Sequence, residues 1–142
     1  MSATGRVRDR GTTLIEALVV IAIVGLVAAI GFPRLQNSLA TMGWRETVAV
    51  VTTRLRQVRA DALRTDRPAA FVIAADGHGF SAPGGGTVAT PAGVELSSPT
   101  GKVIGFYGDG SSSGGAIWVS AGRRGTPVRV SPGTGAVSVG GG

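Results

Sequence analysis

The chain has 142 residues, no cysteine and a formal net charge of +6. Because its first third has an apolar or helical pattern, the remainder can form one modest domain, and a multidomain enzyme is excluded. Without cysteine, the domain must be stabilised by packing rather than by disulfides. The mildly basic balance permits contact with anionic surfaces but does not require it.

The N-terminal region combines a charged start with a long apolar run. Residues 6–10 hold three arginines and one aspartate, Gly11 follows, and the only charged side chain from Thr12 to Pro33 is Glu16. Since about 20 apolar residues cross a bilayer, residues 12–33 are predicted to be a transmembrane helix with a cytoplasmic N terminus. An isolated carboxylate at that depth costs several kcal/mol at least. Glu16 is therefore expected to have a function.

Two simpler interpretations of this region are an ordinary single-pass anchor and an uncleaved secretory signal peptide. The apolar run is too long for a signal peptide, and no small-residue cleavage site closes it before Phe32. An ordinary anchor would have no use for Glu16, or for Gly11 at the boundary of the charged segment. Neither simpler interpretation therefore accounts for these two residues.

At these residues the chain resembles the type IV prepilin family, which includes the pseudopilins of type II secretion. The resemblance implies a cytoplasmic leader of residues 1–11, cleaved by prepilin peptidase between Gly11 and Thr12, and methylation of the new amino group on Thr12. It also implies that Glu16 meets the N-terminal amine of a neighbouring subunit in a filament. Family members usually have Phe or Met where this chain has Thr12.

The next segment has the pattern of an amphipathic helix. Pro33 is expected to kink the helix where the apolar run ends, at a position where the resembled family also has proline. Apolar residues then recur at steps of three and four: Trp44, Val48, Val51, Leu55, Val58 and Ala62. Because Pro68 disfavours helical geometry in the residue before it, residues 34–67 are predicted to form a spine helix.

The composition from residue 68 to residue 142 is typical of β structure. Ala69–Ala75 and His78–Ala82 flank an Asp76-Gly77 pair, which predicts a hairpin. Further strands are predicted at Val103–Tyr107, Ile117–Val119, Pro127–Val130 and Ala136–Val139. Loops are expected at Pro83–Gly86 and Ser111–Gly115. The predicted fold class is α+β, with the apolar stripe of the spine helix covering one antiparallel sheet in a pilin-like arrangement.

Residues 106–115 resemble the Phe- and Gly-containing stretch of the GspH/FimT group of minor pseudopilins. The resemblance implies a minor subunit at or near the tip of a type II secretion pseudopilus or a type IV pilus. The subunit would sit in the bacterial inner membrane with its C-terminal domain in the periplasm. Its partners would be prepilin peptidase and other major and minor pilins or pseudopilins. The sequence leaves open which of the two systems it serves.

The alternative function is that of a DNA-binding minor pilin of a competence pilus. Some members of the group resemble DNA receptors with a Gly-Arg-x-Arg pattern near the last strand, but residues 135–138 read Gly-Ala-Val-Ser. DNA contacts would then depend on Arg123, Arg124 and Arg129, because phosphate neutralisation dominates nucleic-acid affinity. We expect assembly rather than DNA binding.

Residues with catalytic potential are few. The single histidine, His78, lies beside glycines in the predicted hairpin, and Asp76 and Asp109 each precede a glycine, as in turns. The Gly-rich loop lacks the lysine of a phosphate-binding loop. We therefore expect no enzymatic activity, no metal site and no cofactor. Trp44 and Trp118 are expected to be packing residues.

Overall fold

The computed structural model describes residues 14–140, and describes side chains for all of these except residues 31–41. One helix, α1 (Leu14–Thr65), precedes eight strands. Contacts divide the chain into two compact units, with the boundary between Asn37 and Ser38. The strands are β1 (Ala69–Ile73), β2 (Gly79–Ala82), β3 (Gly85–Ala89), β4 (Val94–Ser97), β5 (Val103–Phe106), β6 (Gly115–Ala121), β7 (Arg124–Val130) and β8 (Val137–Val139).

The strands form two antiparallel sheets of four strands each. Their orders are β3-β2-β1-β5 and β4-β6-β7-β8. The α+β class is thereby confirmed, whereas the expectation of a single sheet differs from the structure. The difference arises because β4 pairs with β6 through Val94–Ala121 and Ser97–Trp118, while β1 pairs with β2 and β5. Strand pairing joins residues distant in sequence, so strand patterns alone do not reveal it.

The core of the second unit joins α1 to both sheets. Four residues of the predicted helical stripe, Val51, Leu55, Val58 and Ala62, are at most 1% exposed. The stripe thus faces the sheets, as predicted from its spacing of three and four residues. The inward-facing strand residues complete one apolar cluster, and the rings of Phe71 and Phe80 stack with centroids 4.9 Å apart.

The predicted hairpin is present as β1 and β2. In its turn, Gly77 N donates to Ala74 O over 3.0 Å and His78 N donates to Asp76 Oδ1 over 2.9 Å. Gly77 has φ +76°, a conformation that glycine adopts without the cost of a Cβ.

The expected loop at Pro83–Gly86 is partly wrong, since β3 begins at Gly85. The strand at residues 94–97 was not predicted.

The helix ends two residues before the predicted limit at Arg67. Asp66 adopts φ +49°, a left-handed conformation that Asp tolerates better than most residues. Arg67 N then donates to Ala62 O over 3.3 Å, which terminates the helix before Pro68. Pro33 lies within the bounds of α1, and the kink expected there stays a prediction.

Candidate assembly site

Glu16 is the only acidic residue in the first turn of α1. Its side chain is exposed in the isolated chain. The predicted cleavage and methylation residues, Gly11 and Thr12, lie outside the described residues.

The helix around and after Glu16 is apolar on all sides and uncovered. Its large apolar side chains are between 52% and 82% exposed, and they occupy consecutive as well as periodic positions. A helix that is hydrophobic all round requires lipid or other protein around it. The exposed residues are Leu14, Ile15, Leu18, Val19, Val20, Ile21, Ile23, Val24, Leu26, Val27 and Ile30.

In the part of the chain that the structure describes, no helix is long and apolar enough to cross a membrane. The predicted transmembrane segment, residues 12–33, includes positions outside the residues with described side chains. Membrane insertion therefore stays a prediction.

The Gly-rich stretch 106–115 packs against the C-terminal end of α1. A Cβ on Gly108 would lie 2.2 Å from Asp66 Oδ1, and one on Gly110 would lie 3.3 Å from Leu63 Cδ2. A larger residue at position 108 would also press on the backbone of Asp66, with Cα 3.0 Å away, whereas one at position 110 would need a small shift of the Leu63 side chain. The glycines therefore permit close approach of backbone to helix, and the stretch is a packing element rather than a phosphate-binding loop.

Asp109 closes a turn within this stretch. Its Oδ1 accepts hydrogen bonds from Ser111 Oγ over 2.6 Å and from Ser111 N over 3.0 Å. These two bonds, the hydroxyl bond first, lower the pKa of the fully exposed carboxyl below its usual value, because they stabilise the charged form. The geometry is that of a solvent-exposed turn, in agreement with the sequence interpretation.

Ser112 is a structural residue that the sequence did not reveal. Its side chain is buried, and its Oγ donates to Ser131 O over 2.9 Å. The same Oγ accepts a bond from Gly114 N over 3.0 Å. Ser112 therefore ties the loop before β6 to the end of β7, but within a run of three serines nothing in the sequence distinguishes it.

Arg59 of α1 lies between the Gly-rich stretch and the turn that contains Gly135. The Cβ position of Gly110 is 3.8 Å from Arg59 Nη2, and that of Gly135 is 2.9 Å from Arg59 Nε. Among the described residues, this Nε is a buried side-chain nitrogen without a hydrogen-bond partner. The guanidinium group of Arg59 thus fills the space between two glycines contributed by separate loops.

The three arginines proposed for DNA contact are not gathered into one patch. Arg123 precedes β7, Arg124 begins it, and Arg129 lies five residues further on, about 17 Å away in an extended strand. Alternation along the strand places Arg124 and Arg129 on opposite faces. Arg129 Nη1 also donates to Gly140 O over 2.9 Å. DNA contact by these residues stays a prediction.

The two tryptophans have different environments. Trp44 Nε1 donates to Val119 O over 3.0 Å, and the partly buried ring packs against the core cluster, as expected. Trp118 is 41% exposed on β6, an interior strand of its sheet, with its ring 3.5 Å from the Cβ position of Gly125. It thus covers part of the outer sheet surface rather than filling the core.

Comparison with known proteins places these features in a family. Residues 6–32 match the model of the prokaryotic N-terminal methylation motif. The type II secretion system protein H of Xanthomonas campestris pv. campestris is 31% identical over 117 residues, covering 76% of this chain and 69% of that protein.

Solved structures agree on the fold. Two crystal structures of the type IV minor pilin FimU of Pseudomonas aeruginosa match with TM-scores of 0.57 and 0.55, both at 12% identity. The first covers 75% of this chain and 91% of that protein, and the second 71% and 92%. These structures show the fold, and the identity to protein H together with the methylation motif shows that the chain belongs to the GspH/FimT-like family of minor pseudopilins.

Proposed function

We propose that this minor subunit is placed at or near the tip of a type II secretion pseudopilus or a type IV pilus. Residues 12–33 anchor it in the inner membrane, and the domain from residue 38 onward stands in the periplasm. The observation that carries the proposal is the exposed apolar start of α1, interrupted by the single carboxylate of Glu16. Such a segment is stable only when lipid or neighbouring helices cover it.

Processing and assembly are linked by charge. Prepilin peptidase cuts between Gly11 and Thr12 and the new amine on Thr12 is methylated, so each mature subunit begins with a positive group. In the filament, the Glu16 carboxylate forms an ion pair with the N-terminal amine of a neighbouring subunit. The apolar side chains around Glu16 pack on the N-terminal helices of other subunits. A paired charge in an apolar bundle costs far less than two separate ones, so subunits out of register are disfavoured.

The role is structural rather than catalytic. His78, the single histidine of the sequence, is an exposed turn residue whose backbone N–H binds Asp76. Asp109 is committed to the turn at Ser111. Both residues are thus accounted for by local folding, which supports a subunit that acts through its surfaces.

Processing gives the first test. In cells with active prepilin peptidase, the wild-type chain should lose residues 1–11, and Gly11→Val should accumulate as the uncut precursor. Intact-mass measurement of the membrane fraction separates the two forms. Gly25→Val is the matched control, because its Cβ position is in open space and its processing should be normal. An uncut wild-type terminus in such cells would refute the assignment.

Placement at the tip requires a separate test. The chain has no cysteine, so Gly133→Cys supplies a unique label position in open space. Maleimide-gold on purified filaments should mark one end only. Labels spaced along the filament would instead make the chain a subunit of the shaft.

A further inference from the structure

The first sheet has one edge that the rest of the domain leaves unprotected. Strand β3 is terminal in its sheet and pairs only with β2 within the described residues. Its five residues, Gly-Gly-Thr-Val-Ala, include no charge and no proline, and four of them are exposed. Proteins usually block such an edge with charges, proline or a covering loop, because its backbone groups can pair with another strand.

The other three sheet edges are protected. Backbone groups of β5 are bound by the following loop, since Gly105 N donates to Ser113 Oγ and Ser113 N donates to Gly105 O. In β4, Leu96 N donates to Gly77 O, and Glu95 adds an exposed charge. The remaining edge strand, β8, has only three residues. The open edge of β3 is thus distinct from the others.

A groove between α1 and the β2–β3 hairpin runs beside this edge. Near the Ala89 end it is lined by Glu46, Val50, Phe80, Val88 and Ala89. A second hollow on the helix surface shares Val50 with this groove and reaches Arg54 and Gln57, where Arg54 Nη1 donates to Gln57 Oε1 over 3.2 Å. Arg54 Nη1 lies 3.6 Å from the Cβ position of Gly85, so this hollow ends beside the start of β3. The helix and β3 therefore run antiparallel along the groove.

The charged residues beside the groove indicate which side chains a bound segment would carry. Glu46, Val50 and Arg54 are four residues apart and share one helix face, giving an acidic end, an apolar centre and a basic end. Glu46 and Arg54 are about 12 Å apart along the helix axis. Side chains four residues apart on one face of a strand are about 13 Å apart. The two spacings match, so a strand can meet both charges at once.

We propose that β3 is a docking edge for an extended segment of another polypeptide, which joins the sheet as an antiparallel strand. The segment carries a basic, an apolar and an acidic residue, in that order, at alternate positions. Because it runs opposite to β3, its basic residue meets Glu46 and its acidic residue meets Arg54. The central apolar residue lies opposite Val88 and contacts Val50. Main-chain hydrogen bonds supply affinity, and the alternate side chains supply specificity.

The test uses the purified full chain in detergent micelles and a labelled peptide, Thr-Lys-Thr-Val-Thr-Glu-Thr, followed by fluorescence anisotropy. Arg54→Glu should weaken binding about fivefold, as expected for a partly exposed ion pair. Replacing the peptide's Glu by Lys should restore binding to that variant. Arg56→Glu is the matched control, because Arg56 is exposed on the same helix, and it should leave binding unchanged.

A second peptide tests the strand geometry. In this peptide, the alternate backbone nitrogens that face β3 are methylated, which removes the hydrogen-bond donors without changing the side chains. This change should abolish binding. Four outcomes overturn the proposal: no binding of the first peptide, equal binding of the methylated peptide, equal weakening by Arg56→Glu, or a dimer of the chain that Arg54→Glu dissociates. The last would make a second copy the occupant. The proposal is independent of filament assembly, so failure of one leaves the other standing.

Discussion

The two parts of α1 differ in the exposure of their apolar side chains. Leu18, in the N-terminal part, is 58% exposed, whereas Leu55, in the domain, is 0% exposed. Leu55 is covered because the chain itself supplies two sheets around its stripe. Around Leu18, apolar side chains project from every side of the helix, and a helix of this kind is stable when lipid or other protein surrounds it. Exposure in the isolated chain therefore separates the part of α1 that the domain covers from the part that it leaves uncovered.

The largest expected effect is on assembly. Glu16→Ala removes the charge from the apolar segment, so we expect normal abundance and processing but loss of filament incorporation. Immunoblots of the membrane fraction and of sheared filaments measure both. Glu95→Ala, which removes an exposed carboxylate from the domain, is the matched control and should assemble. Normal assembly of Glu16→Ala would mean that the domain alone directs incorporation.

The second effect tests the buried part of the helix. Leu55→Asp places a charge in the core and should lower the free energy of unfolding by about 3–5 kcal/mol. Thr53→Asp, at an exposed position of the same helix, should cost less than about 1 kcal/mol. Denaturant unfolding of the fragment from Arg34 onward measures the difference. That fragment should fold by itself, because the whole core lies within the unit Ser38–Gly142. Equal losses would contradict the buried stripe.

A smaller effect concerns the contact of loops with the helix end. Gly135 has φ +61°, and a Cβ there would lie 2.5 Å from Gly110 O and 2.9 Å from Arg59 Nε. Gly135→Ala should therefore destabilise the domain by about 1–3 kcal/mol. Gly133→Ala, in open space, should stay within about 0.5 kcal/mol of wild type. Thermal melts of both variants provide the comparison, and an unaffected Gly135→Ala would show that the two loops can separate at little cost.

The smallest effect is the pH dependence at Asp109. Its pKa is lowered in the folded state by the bonds from Ser111, so its contribution to stability is present above the unfolded pKa and is lost as the pH falls through the folded pKa. Ser111→Ala removes the hydroxyl donor and should raise the pKa of Asp109. Carbon-detected NMR titration of the carboxyl measures this. An unchanged titration would show that the hydroxyl bond is absent in solution.

Several features of the fold could be predicted because their signals are local. The spacing of Val51, Leu55 and Val58 indicated a helix face, and the Asp76-Gly77 pair indicated the turn between β1 and β2. The strand β3 was missed because its two glycines have weak strand preference and continue a run of turn residues that begins at Pro83. The strand β4 was missed because its four residues are too few for a clear periodic signal.

The contacts around the Gly-rich stretch could not be predicted from the sequence. The pattern of residues 106–115 suggested a family and a loop, but not that Gly108 and Gly110 meet Asp66 and Leu63 of the helix. The buried position of Ser112 and the placement of Arg59 beside Gly135 likewise join segments far apart in the chain. The spacing of residues along the chain does not indicate such contacts, because each one forms only after the helix and the loops have packed together.

The sequence by itself determined the apolar segment with its single glutamate, the helical stripe and the β character of the second half, because hydrophobic period and turn chemistry act over a few residues. Only the tertiary structure decided that the strands divide into two sheets, that α1 covers both, and that β3 is left with a groove and an open edge. These depend on strand pairing and packing between distant segments, whose free energy is gained only when the whole domain closes.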